Sequence, residues 1–115
     1  MQKKCDTLLQ TIFMESKPRC EGCGKPAVCA HHYFTKGCSS ALRYDFDNLV
    51  PVCAGCHTRH HKASDPKLHA KVIENRGIEW HKALELKKNT TIIKISQKYY
   101  NEVFLKLCQT STNKL

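Results

Sequence analysis

Cys20-Glu21-Gly22-Cys23 and Cys53-Ala54-Gly55-Cys56-His57 decide how this sequence folds. Four soft thiolates suit tetrahedral zinc, and two residues between paired cysteines let one tight turn present both sulfurs. A glycine inside each pair eases that turn. The 29 residues between Cys23 and Cys53 exceed what a simple zinc ribbon needs, so a further unit is expected between the halves. Residues 20–62 carry few large apolar side chains. Structural zinc in finger peptides contributes about 10–16 kcal/mol of apparent binding energy, enough to fold such a segment. Two rival readings are weaker. Cys53 to His57 also fits a c-type haem attachment pattern, but that leaves the first pair unexplained. A redox role lacks the surrounding βαβ pattern of a thioredoxin.

The rest of the composition agrees with metal binding in a reducing compartment. The 115-residue chain holds eight Cys and seven His, and nothing at Met1-Gln2-Lys3-Lys4 reads as a signal-peptide core. An intracellular, cytoplasmic location is expected, where thiols stay reduced. Cys5, Cys29, Cys38 and Cys108 read as small buried or half-buried thiols. Nineteen Lys and Arg against ten Asp and Glu give a net charge of +9, which points to a polyanionic partner, foremost nucleic acid. No apolar run approaches the roughly 18 residues of a membrane span. The length fits one small domain, 1–115, and excludes a large-cavity metabolic enzyme.

Around the cysteines the chain reads as helical. Leu8, Leu9, Ile12 and Phe13 recur at helical spacing in a lead-in helix, 1–17, that Lys17-Pro18 ends. Residues 18–62 form the Cys- and His-bearing core, and 65–115 a helical extension. There Asp65 can cap, Pro66 fits a first turn, and Leu68, Val72 and Ile73 share a face. Gly77 can stop that helix, and Trp80 and Leu84 mark a second, short one. The stretch 90–95 is rich in β-formers and ambiguous. Ser96 can cap a last helix with Tyr99, Tyr100, Val103, Phe104 and Leu107 on one side, a face expected to dock on the chain's own core.

A second constellation joins His31, His32, Asn48, His57 and His61. Five of the seven His lie between residues 31 and 61. His57 follows the last paired cysteine, where a helix should begin, and His57 and His61 lie four apart on one helical face, able to share a metal. His60 is a neighbour that a slight helical shift would exchange with His61. On a strand His31 and His32 would point to opposite sides, dividing their roles unless the strand ends or twists there. Asn48, just before Leu49-Val50, can hydrogen-bond backbone across a loop. His69 and His81 read as surface or core residues, and Tyr33 and Phe34 as packing.

The matching text is His31-His32-Tyr33, Asp47-Asn48-Leu49-Val50 and Cys53-Ala54-Gly55-Cys56-His57. In that order, and with the Cys-x-x-Cys ahead of it, residues 20–62 resemble the HNH endonucleases, whose site is a ββα-metal finger. The segment from Lys36-Gly37 to Leu42-Arg43-Tyr44 is also similar, more weakly, to phage NinG-type recombination proteins, which would suit a phage or mobile element. The resemblance implies that His32 is the general base and that His31 binds the catalytic metal, where many members have Asp. His57 would be the next ligand. His61 would be the third, as in the all-histidine colicin nucleases. Asn48 would keep His32 oriented, and Cys20, Cys23, Cys53 and Cys56 would hold a separate structural zinc. One catalytic divalent ion is implied, whether Mg, Mn, Ni, Co or Zn.

The fold class expected is α+β: a small zinc-stabilised, treble-clef-like ββα-metal finger flanked by helices. The function expected is metal-dependent cleavage of DNA, with a 5′ phosphate and a 3′ hydroxyl as products. Lys36, Arg43, Arg59 and Lys62 flank the site as candidate phosphate contacts, which fix register without reading bases. Strong sequence specificity in so short a chain would need a homodimer or a protein partner. The competing expectation is a non-catalytic zinc finger that binds nucleic acid, which gives the histidines and Asn48 no joint task.

Overall fold

A computed structural model describes residues 1–36, 39–63 and 67–113, with side chains at 1–36, 39–58 and 67–110. Cys38, Asp65 and Pro66 lie outside the described residues, as do the side chains of Arg59, His60, His61 and Lys62.

Helix α1 (Gln2–Met14) buries Cys5, Leu9 and Ile12, a stripe at spacings of four and three. It ends three residues short of the expected boundary, and Lys17 turns the chain with φ 50° ahead of Pro18. The first cysteine pair follows in a knuckle closed by Cys20 N–H on the Lys25 carbonyl (2.7 Å) and Gly24 N–H on the Cys20 carbonyl (2.8 Å). The left-handed residue this turn needs is Gly24, φ +81°, and not the glycine inside the pair.

Strand β1 (Cys29–His32) pairs antiparallel with β2 (Leu49–Val52), so that Cys29 faces Val52, Ala30 faces Pro51, His31 faces Val50 and His32 faces Leu49. A 3₁₀ turn over Phe46–Asn48 leads into β2, capped by the Asp45 side chain accepting from Asp47 N–H at 2.9 Å. Both outer edges of this ribbon are closed. Pro51 has no N–H to give, and Ala30 opposite it turns both backbone groups outward. There Gln10 of α1 donates to the Ala30 carbonyl and accepts from its N–H, both at 2.9 Å. On the β2 edge the Pro51 carbonyl accepts from Glu21 N–H (3.0 Å), and the Leu49 carbonyl from Arg76 (3.0 Å).

Alternation along the strands splits the interior in two. Ala30 and Leu49 face α1 and the last helix, α5 (Gln97–Asn113), in a core with Leu9, Ile12 and Leu107. Val50 and Val52 face the other way, in a core with Cys20, Cys53, Cys56, Leu68, Val72 and Leu84. That second core is roofed by α2 (Ala54–Ala63), α3 (Lys67–Arg76) and α4 (Ile78–Thr90). The last helix docks on the chain's own core as expected, and Ser96 caps it, its Oγ accepting from Tyr99 N–H at 3.1 Å.

Gly77 stops α3 with φ +94°, its N–H on the Ile73 carbonyl at 2.7 Å. The helix after it is longer than the short one expected, reaching Thr90. The remaining β-rich residues, 91–95, belong to no strand, and Ile92 is 95% exposed. Among the described residues no helix is long and apolar enough to cross a membrane. The class is α+β, helices around one two-stranded antiparallel sheet.

Candidate metal centre and the histidine cavity beside it

The knuckle and the start of α2 bring the two cysteine pairs together. The sulfurs of Cys20, Cys23, Cys53 and Cys56 all lie within 4.8 Å of one another, and Cys23 Sγ stands 3.5 Å from Cys53 Sγ. Tetrahedral zinc with Zn–S bonds of about 2.3 Å sets sulfurs about 3.8 Å apart, so the four thiols fit a structural zinc. Backbone N–H groups already point at the sulfurs, Gly22 N–H at Cys20 Sγ (3.3 Å) and Cys56 N–H at Cys53 Sγ (3.4 Å). The Cys56 N–H, against a smaller effect of burial, leads the influences that hold the Cys53 thiol down at about 6. Burial pushes Cys20 up, but N–H groups of Cys53, Gly22 and Cys23 outweigh it and its thiol also titrates below the ordinary range. Both shifts favour the thiolates that a metal needs.

Gly22 owes its place to crowding: a Cβ there would meet Cys56 Sγ at 3.0 Å, Leu68 Cδ1 at 3.4 Å and Cys20 Sγ at 3.6 Å. The corresponding Gly55 has room, its added Cβ 4.0 Å from Cys53 Sγ. Glu21 between the cysteines takes a forked bond from Arg76, whose guanidinium also donates to the carbonyls of Asp47 (3.2 Å) and Leu49 (3.0 Å) and lies 4.8 Å over the Trp80 ring. Arg76 therefore ties the knuckle, the 3₁₀ turn and β2 to the end of α3.

Beside this centre is a cavity of about 380 Å³ whose lining includes His31, His32, His57 and Lys36. His31 is buried on the strand face toward α2, its ring centroid 5.9 Å from that of His57. His32, the last residue of β1, leaves on the opposite face, and the strand's end lets both rings border one cavity. The Nε2 of His32 lies 2.9 Å from the Arg43 carbonyl. A carbonyl only accepts, so Nε2 carries the proton and Nδ1 the lone pair. Burial holds this imidazole's pKa below its usual value, against an opposing pull from the Arg43 carbonyl.

Asn48 is wholly buried, and its side-chain hydrogen bonds go to Phe34 and Leu42, not to His32. Its Oδ1 accepts from Phe34 N–H (2.8 Å), and its Nδ2 donates to the carbonyls of Phe34 (3.0 Å) and Leu42 (3.3 Å). It holds the two ends of the connection between β1 and the 3₁₀ turn, and through Leu42 the peptide that meets His32. Asn48 is thus one peptide removed from the carbonyl that meets His32.

Other expected residues find different places. Arg43 was expected at a phosphate, but its guanidinium is forked on Asp6 of α1, Nη2 to Oδ2 at 2.6 Å and Nε to Oδ1 at 3.0 Å. Lys36 borders the cavity and is exposed. The side chains of His61, Arg59 and Lys62 lie outside the described residues. Tyr33 is core, its hydroxyl bonded to His81 Nδ1 at 2.6 Å. His69, expected as an ordinary helix residue, stacks on Tyr33 at 4.4 Å and lies 6.3 Å from His31, which makes it a neighbour of the cavity wall. Helical spacing put His69 beside Leu68 and Val72, but only the packing of α3 against β1 brings it to His31.

Comparison with protein-family models, curated proteins and solved structures yields no match for this chain.

Proposed function

We propose that this chain is a metal-dependent endonuclease of the HNH type, hydrolysing phosphodiester bonds of DNA. The observation that carries the reading is the single cavity bordered by His31, His32, His57 and Lys36, beside a four-cysteine cluster. A binding module has no need of three imidazoles in one recess, one of them with its proton committed to a backbone carbonyl.

His31 and His57 come from different elements and meet edge to face with ring centroids 5.9 Å apart, near enough for a shared divalent ion. Such an ion, when bound, supplies positive charge for the phosphodiester and for the leaving 3′ oxygen. The residues do the rest. His32 takes the proton of the attacking water on Nδ1, while its Nε2–H stays with the Arg43 carbonyl. Burial keeps that imidazole neutral and able to accept. Lys36 brings a positive charge to the cavity mouth, where the substrate backbone would run. The four cysteines, with zinc, hold the start of α2 and with it His57.

Nicking of supercoiled plasmid by purified protein tests the proposal, with Mg, Mn, Ni, Co or Zn and with EDTA, beside a His32→Ala variant checked for retained fold and zinc. Metal-dependent nicking that the folded variant loses is expected. Tight DNA binding without cleavage of plasmid, branched DNA or RNA, and one metal per chain, would replace the proposal with a non-catalytic zinc finger.

A further inference from the structure

We propose that Asp6 and Arg43 are a positioning pair for His32, a role that rests on reading His32 as the proton acceptor. Asp6 and Gln10 stand four apart on α1 and so share one helical face. Gln10 grips Ala30 through two bonds of 2.9 Å, two residues before His32 on the same strand face. Asp6 grips the side chain of Arg43, whose own carbonyl receives the Nε2–H of His32. One face of one helix therefore holds both the strand that carries the imidazole and the peptide that fixes its proton. The helix is itself anchored on either side of Asp6, Cys5 being wholly buried and Leu9 1% exposed.

The fork matters for direction more than for strength. Its side chains remain 18% and 27% exposed, so solvent screening limits what the pair adds to stability. Two parallel N–H···O bonds nevertheless set both the distance and the plane of the guanidinium, which a single contact would leave free. Residue 43 is thereby held from its side chain by α1 and, through the neighbouring Leu42 carbonyl, by Asn48. A loosened Arg43 peptide would let the His32 ring turn and move Nδ1 from the line of the attacking water. Misplacement by about 1 Å costs up to roughly a hundredfold in rate.

The test uses the full chain with its metal, and reads His32 by NMR as well as by nicking. The wild type should show a slowly exchanging His32 Nε2–H resonance. Asp6→Asn and Arg43→Lys should broaden or remove it and lower kcat about tenfold or more with KM little changed. The exchanged pair Asp6→Arg with Arg43→Asp should restore both, which a general loss of stability would not do. Persistence of the resonance and of kcat in folded Asp6→Asn and Arg43→Lys would overturn the proposal. Should either single variant fail to fold, the exchanged pair decides, a folded chain without the resonance counting against the brace. Loss and rescue of the resonance in a protein that cuts no nucleic acid would uphold the brace while overturning the nuclease reading.

Discussion

Replacing Asn48 separates a residue that shapes the site from one that touches substrate. Its side chain satisfies one N–H and two carbonyls while wholly buried. In Asn48→Ala the groups of half-buried Phe34 can find water, at a loss of about 1 kcal/mol each, but the buried Leu42 carbonyl is left dry at about 1–3 kcal/mol. The sum is about 3–5 kcal/mol, a large share of the 5–15 kcal/mol typical of a domain. Asn48→Asp keeps the shape but turns the donor into an oxygen facing two carbonyls. It should therefore cost more than Ala at pH 7, because a buried carboxylate is added to the lost bonds. Its folded-state pKa should be raised, so the folded form binds the extra proton and the variant gains stability as pH falls through that value. Urea midpoints of metal-loaded protein between pH 5.5 and 8 check both statements. An Asn48→Asp chain as stable as wild type at pH 7, or less damaged than Asn48→Ala, would refute the assigned donor and with it the account of how this connection is held.

Gln10→Leu should destabilise by about 2–4 kcal/mol and speed hydrogen exchange at the Ala30 amide, since it strands two backbone groups of a residue only 5% exposed. Gly22→Ala should weaken zinc retention about tenfold in a chelator competition, its Cβ pressing on Cys56 Sγ, whereas Gly55→Ala should leave retention unchanged. Burial is the largest influence on Asp6 and would raise it, but the Arg43 fork, with smaller pulls from Tyr44 and Lys36, outweighs burial and holds its carboxyl below the ordinary range. Its contribution is thus present above the unfolded value of about 3.9 and fades as pH falls toward the folded one. The stability gap between wild type and Asp6→Asn should accordingly close below about pH 4, read as the difference between paired melts.

What the sequence made legible is what an element states about itself. Paired cysteines carry their spacing, and Leu9 and Ile12, or Leu68 and Val72, carry the period of the helix they lie on. The strand bearing His31 and His32, the helix starting near His57 and the capping Ser96 were open to the same reasoning. Asp6, Gln10 and Arg76 were not, because each is a polar helix residue whose partner lies 20 to 55 positions away. Nothing in their own periodicity distinguishes them from solvated side chains. The 90–95 stretch shows the converse: β-forming residues do not make a strand without an open edge, and Gln10, Glu21 and Arg76 already occupy the edges of this sheet.

The start of α2 links the two halves of the site. Cys53, Cys56 and His57 lie within five residues, and the His57 N–H donates to the Cys53 carbonyl at 3.0 Å. The backbone turn that aims two sulfurs at one centre is thus the turn that sends the His57 ring toward His31 at 5.9 Å. Neither hydrophobic burial nor the two-stranded sheet alone would hold that turn, since Ala54, Gly55 and Thr58 are exposed, His57 is half-buried at the cavity, and Cys53 and Cys56 alone of residues 53–58 are buried. A tetrahedral zinc on Cys20, Cys23, Cys53 and Cys56 would tie the start of α2 to the first cysteine pair. Withdrawal of a structural zinc should therefore free the His57 ring while β1 and its Gln10 bonds persist. His31 and His57 would part before His32 leaves Arg43. Under the proposed function a chelated chain would lose its second metal site first and its proton acceptor last, an order that residue-resolved exchange during chelation can follow.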